Sequence, residues 1–250
     1  MHRRFTPGKM GRDRLPCRGR LAQPPAMGSS FSYTTPDRRI MLIAALLCWG
    51  GFALVALLTF TGHMAEFDRV GLLLWRGADG LAPAGPPWLN TGVIALTHLG
   101  GVPVRNAIAL AATIALVRVH RRRQALCLGL TVIAGWTANS ALKALFDRPR
   151  PAIVPHLTHA GGPSFPSGHS FNAALIYIAM ALIVTGWAAR RPVHLTLVPA
   201  AIMLSLAIAG SRVWLGVHYP SDVIAGWLGG AGLAFLMAAW FLPEAHPHER

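Results

Sequence analysis

The stretch IMLIAALLCWGGFALVALLTFT, residues 40–61, runs through 22 residues without a charged side chain. About 20 apolar residues are enough for a helix to cross the hydrocarbon core of a bilayer, because each residue adds about 1.5 Å. A second stretch of this kind, VIAGWLGGAGLAFLMAAWFL, fills residues 223–242. Only 13% of the 250 residues are charged, whereas about a quarter are charged in a typical soluble domain. The sequence therefore predicts an integral membrane protein.

Six apolar stretches predict an all-α, polytopic membrane protein with six transmembrane helices. They cover residues 40–61, 95–118, 125–146, 171–189, 193–211 and 223–242. Between the first two, residues 65–80 combine charges with an apolar stripe, which is typical of a helix that lies in the membrane interface. The spacing Gly226-x3-Gly230 in the last stretch predicts close helix packing.

The six stretches define one predicted membrane domain, residues 40–242, flanked by two tails. Residues 1–39 are rich in Arg, Pro and Gly, and this composition predicts a disordered basic tail that buries no core. Residues 243–250 form a second, short tail, and both tails are predicted to be cytoplasmic. Met27 opens an ordinary short lead-in, so translation from Met27 is an alternative to translation from Met1.

The distribution of Lys and Arg predicts the orientation. With the N-terminus inside, 16 of the 23 Lys and Arg residues fall on the cytoplasmic side, as the positive-inside rule requires. The interfacial helix then lies on the periplasmic or exterior side. The formal net charge of +14 comes from short clusters between apolar stretches, so it indicates membrane topology rather than nucleic-acid binding. Cys17, Cys48 and Cys127 are scattered and predict neither a disulfide framework nor a metal site.

Three polar segments meet on the outer face, where the positive-inside rule does not explain their basic residues. They are KALFDRPRP (143–151), PSGH (166–169) and SRVWLGVHYPSD (211–222). Lys143, Arg150 and Arg212 supply three cations without a local excess of carboxylates, so the expected ligand is a dianion. Arginine matches phosphate oxygens with a planar fork, and lysine adds a mobile point charge.

The polar turn before the fourth span predicts an anion-binding site with catalytic histidines. Ser167 and Gly168 precede a helix, where free N–H groups and the helix dipole favour an anion. His218 and Asp222 are four residues apart, so the carboxylate can bind one ring nitrogen and leave the other free as a nucleophile or base. His169, on another segment, is free to act as a general acid.

These segments resemble the signature motifs of the type 2 phosphatidic acid phosphatase superfamily, which also contains soluble vanadium haloperoxidases. The motifs are Lys143-x6-Arg150-Pro151, Pro166-Ser167-Gly168-His169 and Ser211-Arg212-x5-His218-x3-Asp222, and all eleven positions match. The six predicted spans favour the membrane branch. The resemblance implies a metal-independent phosphatase that needs no cofactor and forms a covalent phosphohistidine.

The resemblance also implies a role for each matching residue. His218 attacks phosphorus, Asp222 orients His218, and His169 protonates the leaving group. The phosphoryl oxygens are held by Lys143, Arg150, Ser167, Gly168 and Arg212. The implied substrate is a lipid phosphate or diphosphate in the bilayer; undecaprenyl diphosphate, phosphatidylglycerol phosphate and phosphatidic acid are all compatible.

Three alternatives stay open. A phosphotransferase of the same fold would pass the phosphoryl group to an acceptor other than water. A transporter, or a lipid- or anion-binding protein without activity, would use the same cations, although no internal repeat typical of transporters is visible. A zinc site of His169, His218 and Asp222 is conceivable, although three neighbouring cations would repel the metal.

Four further polar residues lie in or beside the predicted spans. Thr97 and His98 either line the pocket or form a satisfied helix end. Arg105 is either functional, as an intramembrane cation, or snorkels to the interface. Asn139 is expected to bond a neighbouring helix.

Overall fold

The described part of the chain is built from eight α-helices, and no β-strand occurs in it, which confirms the predicted all-α class. The computed structural model describes His2 and residues 37–77, 81–186 and 191–242, of which 191–195 are described by their backbone alone. The helices are α1 Arg38–Phe60, α2 Ala65–Leu73, α3 Pro87–His98, α4 Val102–Arg118, α5 Arg122–Phe146, α6 Gly168–Thr185, α7 Arg191–Trp214 and α8 Pro220–Phe241. The predicted tails lie outside the described residues, apart from His2 and the start of α1.

α1 is a membrane helix with one narrow buried face. Asp37 caps its N-terminus, because its carboxylate accepts a hydrogen bond from the Arg39 N–H at 2.8 Å. The buried residues follow helical spacing and are Met41, Ala45, Phe52 and Ala56. Apolar residues on the other faces remain exposed, and Leu46 is 73% exposed. Such exposure fits a helix whose outer surface contacts lipid.

Within the described residues, five helices are long and apolar enough to cross a membrane: α1, α5, α6, α7 and α8. α3 and α4 form a pair bent by 48°, which makes a sixth span if the pair crosses as one. The span predicted at 95–118 corresponds to the end of α3 and the whole of α4, because α3 begins at Pro87 and the pair breaks at residues 99–101. The break contains two glycines, and Pro103 lies in the first turn of α4, where its missing N–H costs no helical hydrogen bond.

The central contact of the bundle is between α6 and α8. A Cβ on Gly226 would lie 2.6 Å from the carbonyl oxygen of Ser167, and one on Gly230 would overlap the carbonyl of Phe171. The packing role predicted for these two glycines is thus confirmed. At the end of the same contact, the Ser167 N–H donates to the Asp222 carbonyl oxygen at 2.9 Å, so the packing brings the second and third motifs together.

α2 lies against the first turn of α8. The helix predicted over residues 65–80 ends at Leu73. A Cβ on Gly71 would lie 2.5 Å from Cγ of Pro220, so only a residue without a side chain permits this approach. The contact buries Asp68 of α2 beside the first turn of α8.

Candidate active site

Six of the eight predicted site residues line a cavity of about 350 Å³, at the end of the bundle where α5 and α7 end and α6 and α8 begin. They are Lys143, Arg150, Gly168, His169, Arg212 and His218. The other two, Ser167 and Asp222, are fully buried. Three segments that are distant in sequence are therefore assembled in one place.

His218 lies between the cavity and the protein interior and is 2% exposed. Its Nε2 lies 3.2 Å from Nη1 of Arg150. A guanidinium can only donate, so Nε2 is the acceptor and the ring proton is on Nδ1. Burial lowers the pKa of His218 to about 4, although Asp222 acts in the opposite direction. At neutral pH the imidazole is therefore neutral and presents a lone pair on Nε2.

Nδ1 of His218 faces a carboxylate and a hydroxyl group. It lies 3.5 Å from Oδ2 of Asp222 and 3.2 Å from Oγ of Ser164. The same hydroxyl donates to Oδ2 of Asp222 at 2.5 Å. The predicted pairing of His218 with Asp222 is present, and Ser164 joins the two residues more closely than they contact each other.

The carboxylate of Asp222 is held by two further hydrogen bonds. It is the third residue of α8, and its Oδ2 accepts from the N–H of the N-cap residue Tyr219 at 3.0 Å. Its Oδ1 accepts from Nη1 of Arg148 at 2.6 Å. Nη2 of Arg148 donates to Asp68 at 2.8 Å, and Asp68 also accepts from the N–H and hydroxyl of Ser221 at 2.8 and 2.7 Å. Arg148 therefore ties α2 to the carboxylate behind His218.

The electrostatics of Arg148 agree with this role. Burial acts to lower the pKa of its guanidinium, but Asp222 and Asp68 outweigh burial and raise the pKa. The guanidinium also stacks on the ring of Tyr219, with Cζ 4.1 Å from the ring centroid. The charge is thus fixed between two carboxylates and an aromatic face.

The three predicted phosphate-binding cations bond neutral oxygens. Nζ of Lys143 donates to the Pro163 carbonyl at 2.5 Å, and Nη1 of Arg212 donates to Oγ1 of Thr97 at 2.9 Å. Arg150 donates to the carbonyls of Gly161, Gly162 and Val217, at 2.7, 3.0 and 2.8 Å. Among the ion pairs of residues 37–77, 81–186 and 191–242, none involves these three cations. The cavity is therefore electropositive, as a dianion requires.

The start of α6 supplies backbone donors, although not all of those expected. The Ser167 N–H is already bound to the Asp222 carbonyl oxygen, and the Ser167 hydroxyl accepts from Ser170 at 3.1 Å. The N–H groups of Gly168 and His169, in the first turn, have no acceptor within the helix. A Cβ on Gly168 would lie 3.2 Å from Oδ1 of Asn139, so a side chain there would narrow the cavity.

His169 lines the cavity from α6, on the side of the α3–α4 break, whereas His218 lies in the loop between α7 and α8. A Cβ on Gly100, in that break, would lie 3.2 Å from Cδ2 of His169. Arg212, Arg105 and Arg150 are among the charges that act on His169. The two histidines thus approach the same space from separate elements.

Sequence reasoning assigned no role to Ser164, Arg148 or Asp68. Ser164 and Arg148 lie inside or next to the recognised motifs, so their positions offered a signal. Asp68 offered a weaker signal, because a carboxylate is expected on the polar face of an amphipathic helix. Thr97 contacts Arg212, whereas His98 is not part of the described cavity wall.

The described part of the chain contains no set of side chains arranged to bind zinc. No group of three or more His, Cys, Asp or Glu residues there has the geometry to hold a metal ion. His218 and Asp222 are close, but the groups around His169 are cations.

Comparison with known proteins identifies the family. Residues 124–245 match the PAP2 superfamily. Phosphatidylglycerophosphatase B of Bacillus subtilis (strain 168) is 32% identical over 152 residues, which cover 60% of this chain and 74% of that protein. Decaprenylphosphoryl-5-phosphoribose phosphatase of Mycolicibacterium smegmatis is 35% identical over 162 residues, 60% of this chain and 82% of that protein.

The fold agrees with the sequence comparison. The crystal structure of a transmembrane PAP2-type phosphatidylglycerolphosphate phosphatase from Bacillus subtilis superposes with a TM-score of 0.65 and 25% identity, over 82% of this chain and 95% of that one. A multi-helix membrane protein with an electropositive, histidine-containing cavity is the class that fold and site define. The chain belongs to the PAP2 superfamily and is a membrane phosphatase of its lipid phosphatase family.

Proposed function

We propose that the protein hydrolyses a lipid phosphate or diphosphate through a phosphohistidine at His218, without a metal ion, at the outer face of the inner (plasma) membrane. The observation that carries the proposal is the neutral His218, whose Nε2 points toward Arg150 at 3.2 Å in a cavity that also contains Lys143 and Arg212. The neutral nucleophile, whose lone pair only Arg150 approaches, lies where three cations attract a phosphoryl group.

The first step forms the phosphohistidine. Nε2 of His218 attacks phosphorus, and the ring becomes a cation whose Nδ1 proton is stabilised by Asp222, directly and through Ser164. The bond from phosphorus to the leaving oxygen breaks, and His169 donates a proton to that oxygen. Water, activated by the now neutral His169, then attacks phosphorus and releases inorganic phosphate and neutral His218.

The cations and the start of α6 hold the phosphoryl oxygens. Arg150 and Arg212 offer guanidinium donors, and Lys143 adds a point charge. Gly168 contributes its N–H at the positive end of the helix dipole. Ser167 is fully buried, is not among the residues that line the cavity, and its N–H is already bonded, so we assign it the positioning of this turn.

The substrate headgroup enters the cavity while its tail stays in the bilayer. Trp136 of α5 lines the cavity and is 64% exposed, so the cavity borders the surface that contacts lipid. The relatives are named for phosphatidylglycerophosphate and for a decaprenylphosphoryl sugar phosphate, which supports a phosphorylated lipid. Undecaprenyl diphosphate, phosphatidylglycerol phosphate and phosphatidic acid belong to this class.

Phosphate release and trapping of the intermediate test the chemistry. The purified protein in detergent should release phosphate from these lipids in excess EDTA, and vanadate should inhibit it. Brief reaction with a 32P-labelled substrate should leave base-stable, acid-labile label on the wild type and none on His218→Asn. Loss of activity in EDTA that zinc or magnesium restores would contradict the proposal. Transfer of label to an added alcohol in place of water would identify a phosphotransferase.

Thiol labelling tests the membrane face. Ala152 and Arg122 are both exposed, at opposite ends of the bundle, so each can be replaced by cysteine in a background without native cysteines. In intact cells an impermeant maleimide should label Ala152→Cys and spare Arg122→Cys. The reverse pattern would place the site at the cytoplasmic face.

A further inference from the structure

Arg105 of α4 is a buried cation without a carboxylate partner. It is 4% exposed and lines the cavity, so the predicted alternative of snorkelling to the interface is wrong. Its Nη1 makes long contacts to the carbonyls of Gly100 and Gly168, at 3.3 and 3.5 Å, and its Nε has no partner. No ion pair within the described ranges includes it. Such a charge is costly to bury unless an anion binds to it.

Asn139 is a second donor in the same part of the cavity. It is 6% exposed, lines the cavity, and its Nδ2 has no hydrogen-bond partner. The expected bond to a neighbouring helix is therefore missing. Its Oδ1 lies against Gly168, whose carbonyl is also the one that Arg105 approaches. Two buried donors near Gly168 are therefore unsatisfied, although buried polar groups normally find partners.

Arg105 lies on the side of the cavity that His169 lines. Arg105 donates to the Gly100 carbonyl, and a Cβ on Gly100 would lie 3.2 Å from Cδ2 of His169. Lys143 and Arg150 are instead tied to the backbone of residues 161–163, and Arg150 also contacts His218. Arg105 is therefore placed near the proposed proton donor for the leaving oxygen, away from the nucleophile.

We propose that Arg105, with Asn139, forms a binding site for a second phosphate, and that the preferred substrate is a lipid diphosphate. The inference rests on the proposed phosphatase function. The transferred phosphoryl group is already matched by Lys143, Arg150 and Arg212, which leaves the charge of Arg105 for another anionic group. The position beside His169 assigns that group to the leaving side of the reaction.

The step balances for a diphosphate. Nε2 of His218 bonds to the terminal phosphorus, and the bond from that phosphorus to the bridging oxygen breaks. The electron pair goes to the bridging oxygen, and the lipid leaves as its monophosphate, with a proton from His169. Negative charge grows on this leaving phosphate in the transition state, and Arg105 lies where it stabilises that charge. Water then releases the terminal phosphate from His218.

Two substrates with one tail test the proposal: farnesyl diphosphate and farnesyl monophosphate, in detergent with EDTA. Arg105→Gln should lower kcat/KM for the diphosphate about 10²-fold more than for the monophosphate, and Arg105→Lys should keep part of the preference. Asn139→Ala should lower the preference for the diphosphate over the monophosphate by roughly tenfold. Arg76→Gln is the matched control, because Arg76 is another buried arginine that bonds backbone carbonyls, outside the cavity. It should change both substrates equally.

Inhibition of the wild type gives a second measurement that does not depend on a folded variant. Methylenediphosphonate should compete at least tenfold better than methylphosphonate, because it fills both phosphate sites. Equal loss on both substrates in Arg105→Gln, or equal inhibition by the two phosphonates, would overturn the second phosphate site alone. A wild type that hydrolyses neither farnesyl substrate nor any other lipid phosphate would overturn the proposed function itself.

Discussion

Replacing Ser164 by alanine should slow phosphoryl transfer without unfolding the protein. Ser164 is fully buried, and its hydroxyl joins Nδ1 of His218, 3.2 Å away, to Oδ2 of Asp222, 2.5 Å away. The direct distance between those two groups is 3.5 Å, which is long for a hydrogen bond. Without the hydroxyl, the imidazole keeps its burial and its Nδ1 loses the closer of its two contacts.

The size of the effect follows from the charge that develops on His218. A hydrogen bond to a charged group is worth about 1.5–3 kcal/mol, and each 1.36 kcal/mol on the barrier changes the rate about tenfold. Ser164→Ala should therefore lower kcat by roughly 10- to 100-fold. KM should change little, because Ser164 does not line the phosphate cavity. Ser164→Thr restores a hydroxyl and should recover part of the rate.

The assay is rapid-quench measurement of the covalent intermediate, with thermal denaturation in parallel. Ser205→Ala is the control: Ser205 is equally buried and has two hydrogen-bond partners, but it lies outside the cavity. Formation of the intermediate should be slow in Ser164→Ala and normal in Ser205→Ala. A wild-type rate in Ser164→Ala, or a similar loss in both variants, would refute the bridging role.

Three further outcomes are expected. His169→Ala should keep a burst on an aryl phosphate, whose phenolate leaves without a proton, but its rate on a lipid monophosphate should fall roughly 10²–10⁴-fold. His218→Ala should show no burst on either substrate. The opposite pattern would exchange the two roles. On the same aryl phosphate, kcat/KM corrected for substrate ionisation should persist to about pH 5 and fall only near pH 4, as His218 gains a proton; a fall centred at 6.5 would show that burial does not govern the nucleophile. Gly230→Ala should lower the thermal midpoint by roughly 5 °C, because its Cβ meets backbone, whereas Gly50→Ala, with nothing within 4 Å, should not; equal midpoints would contradict the tight α6–α8 contact.

The membrane fold and most of the cavity could be predicted because their signals are local. An uncharged run of 22 residues specifies a span by itself, and the chemistry of Lys143 or His218 is given by residue type and spacing. The α3–α4 bend was not predicted, because residues 95–118 taken together are apolar enough for one span, which hides the less apolar break around the two glycines and the proline. Composition shows that a stretch is apolar, but it does not show where the helix axis bends.

The groups behind His218 could not be predicted, because their roles exist only in the packed structure. Ser164, two residues before Pro166, becomes a bridge only when α8 places Asp222 beside it. Asp68 is distant in sequence from all three motifs, and Gly71 must be small for α2 to bring Asp68 to the start of α8. Arg105 carried a local signal, as a cation in a predicted span, but its partner-free state in the cavity is a tertiary property.

The site keeps the cations that line the cavity apart from the carboxylates that lie behind His218. A dianion cannot bind well beside two carboxylates, yet the proposed nucleophile needs one of them to stabilise the cation that forms on its ring. Arg148 resolves this, because it bonds both Asp68 and Asp222 and neutralises much of their field on the buried side. His218 then forms the boundary between these cations and carboxylates, with Arg150 on its cavity side and Asp222 behind it. It stays neutral until phosphorus arrives, and only the charged imidazolium draws fully on the carboxylate. Asp222 can thus favour the transition state without repelling the substrate, which is the difference in binding that catalysis requires.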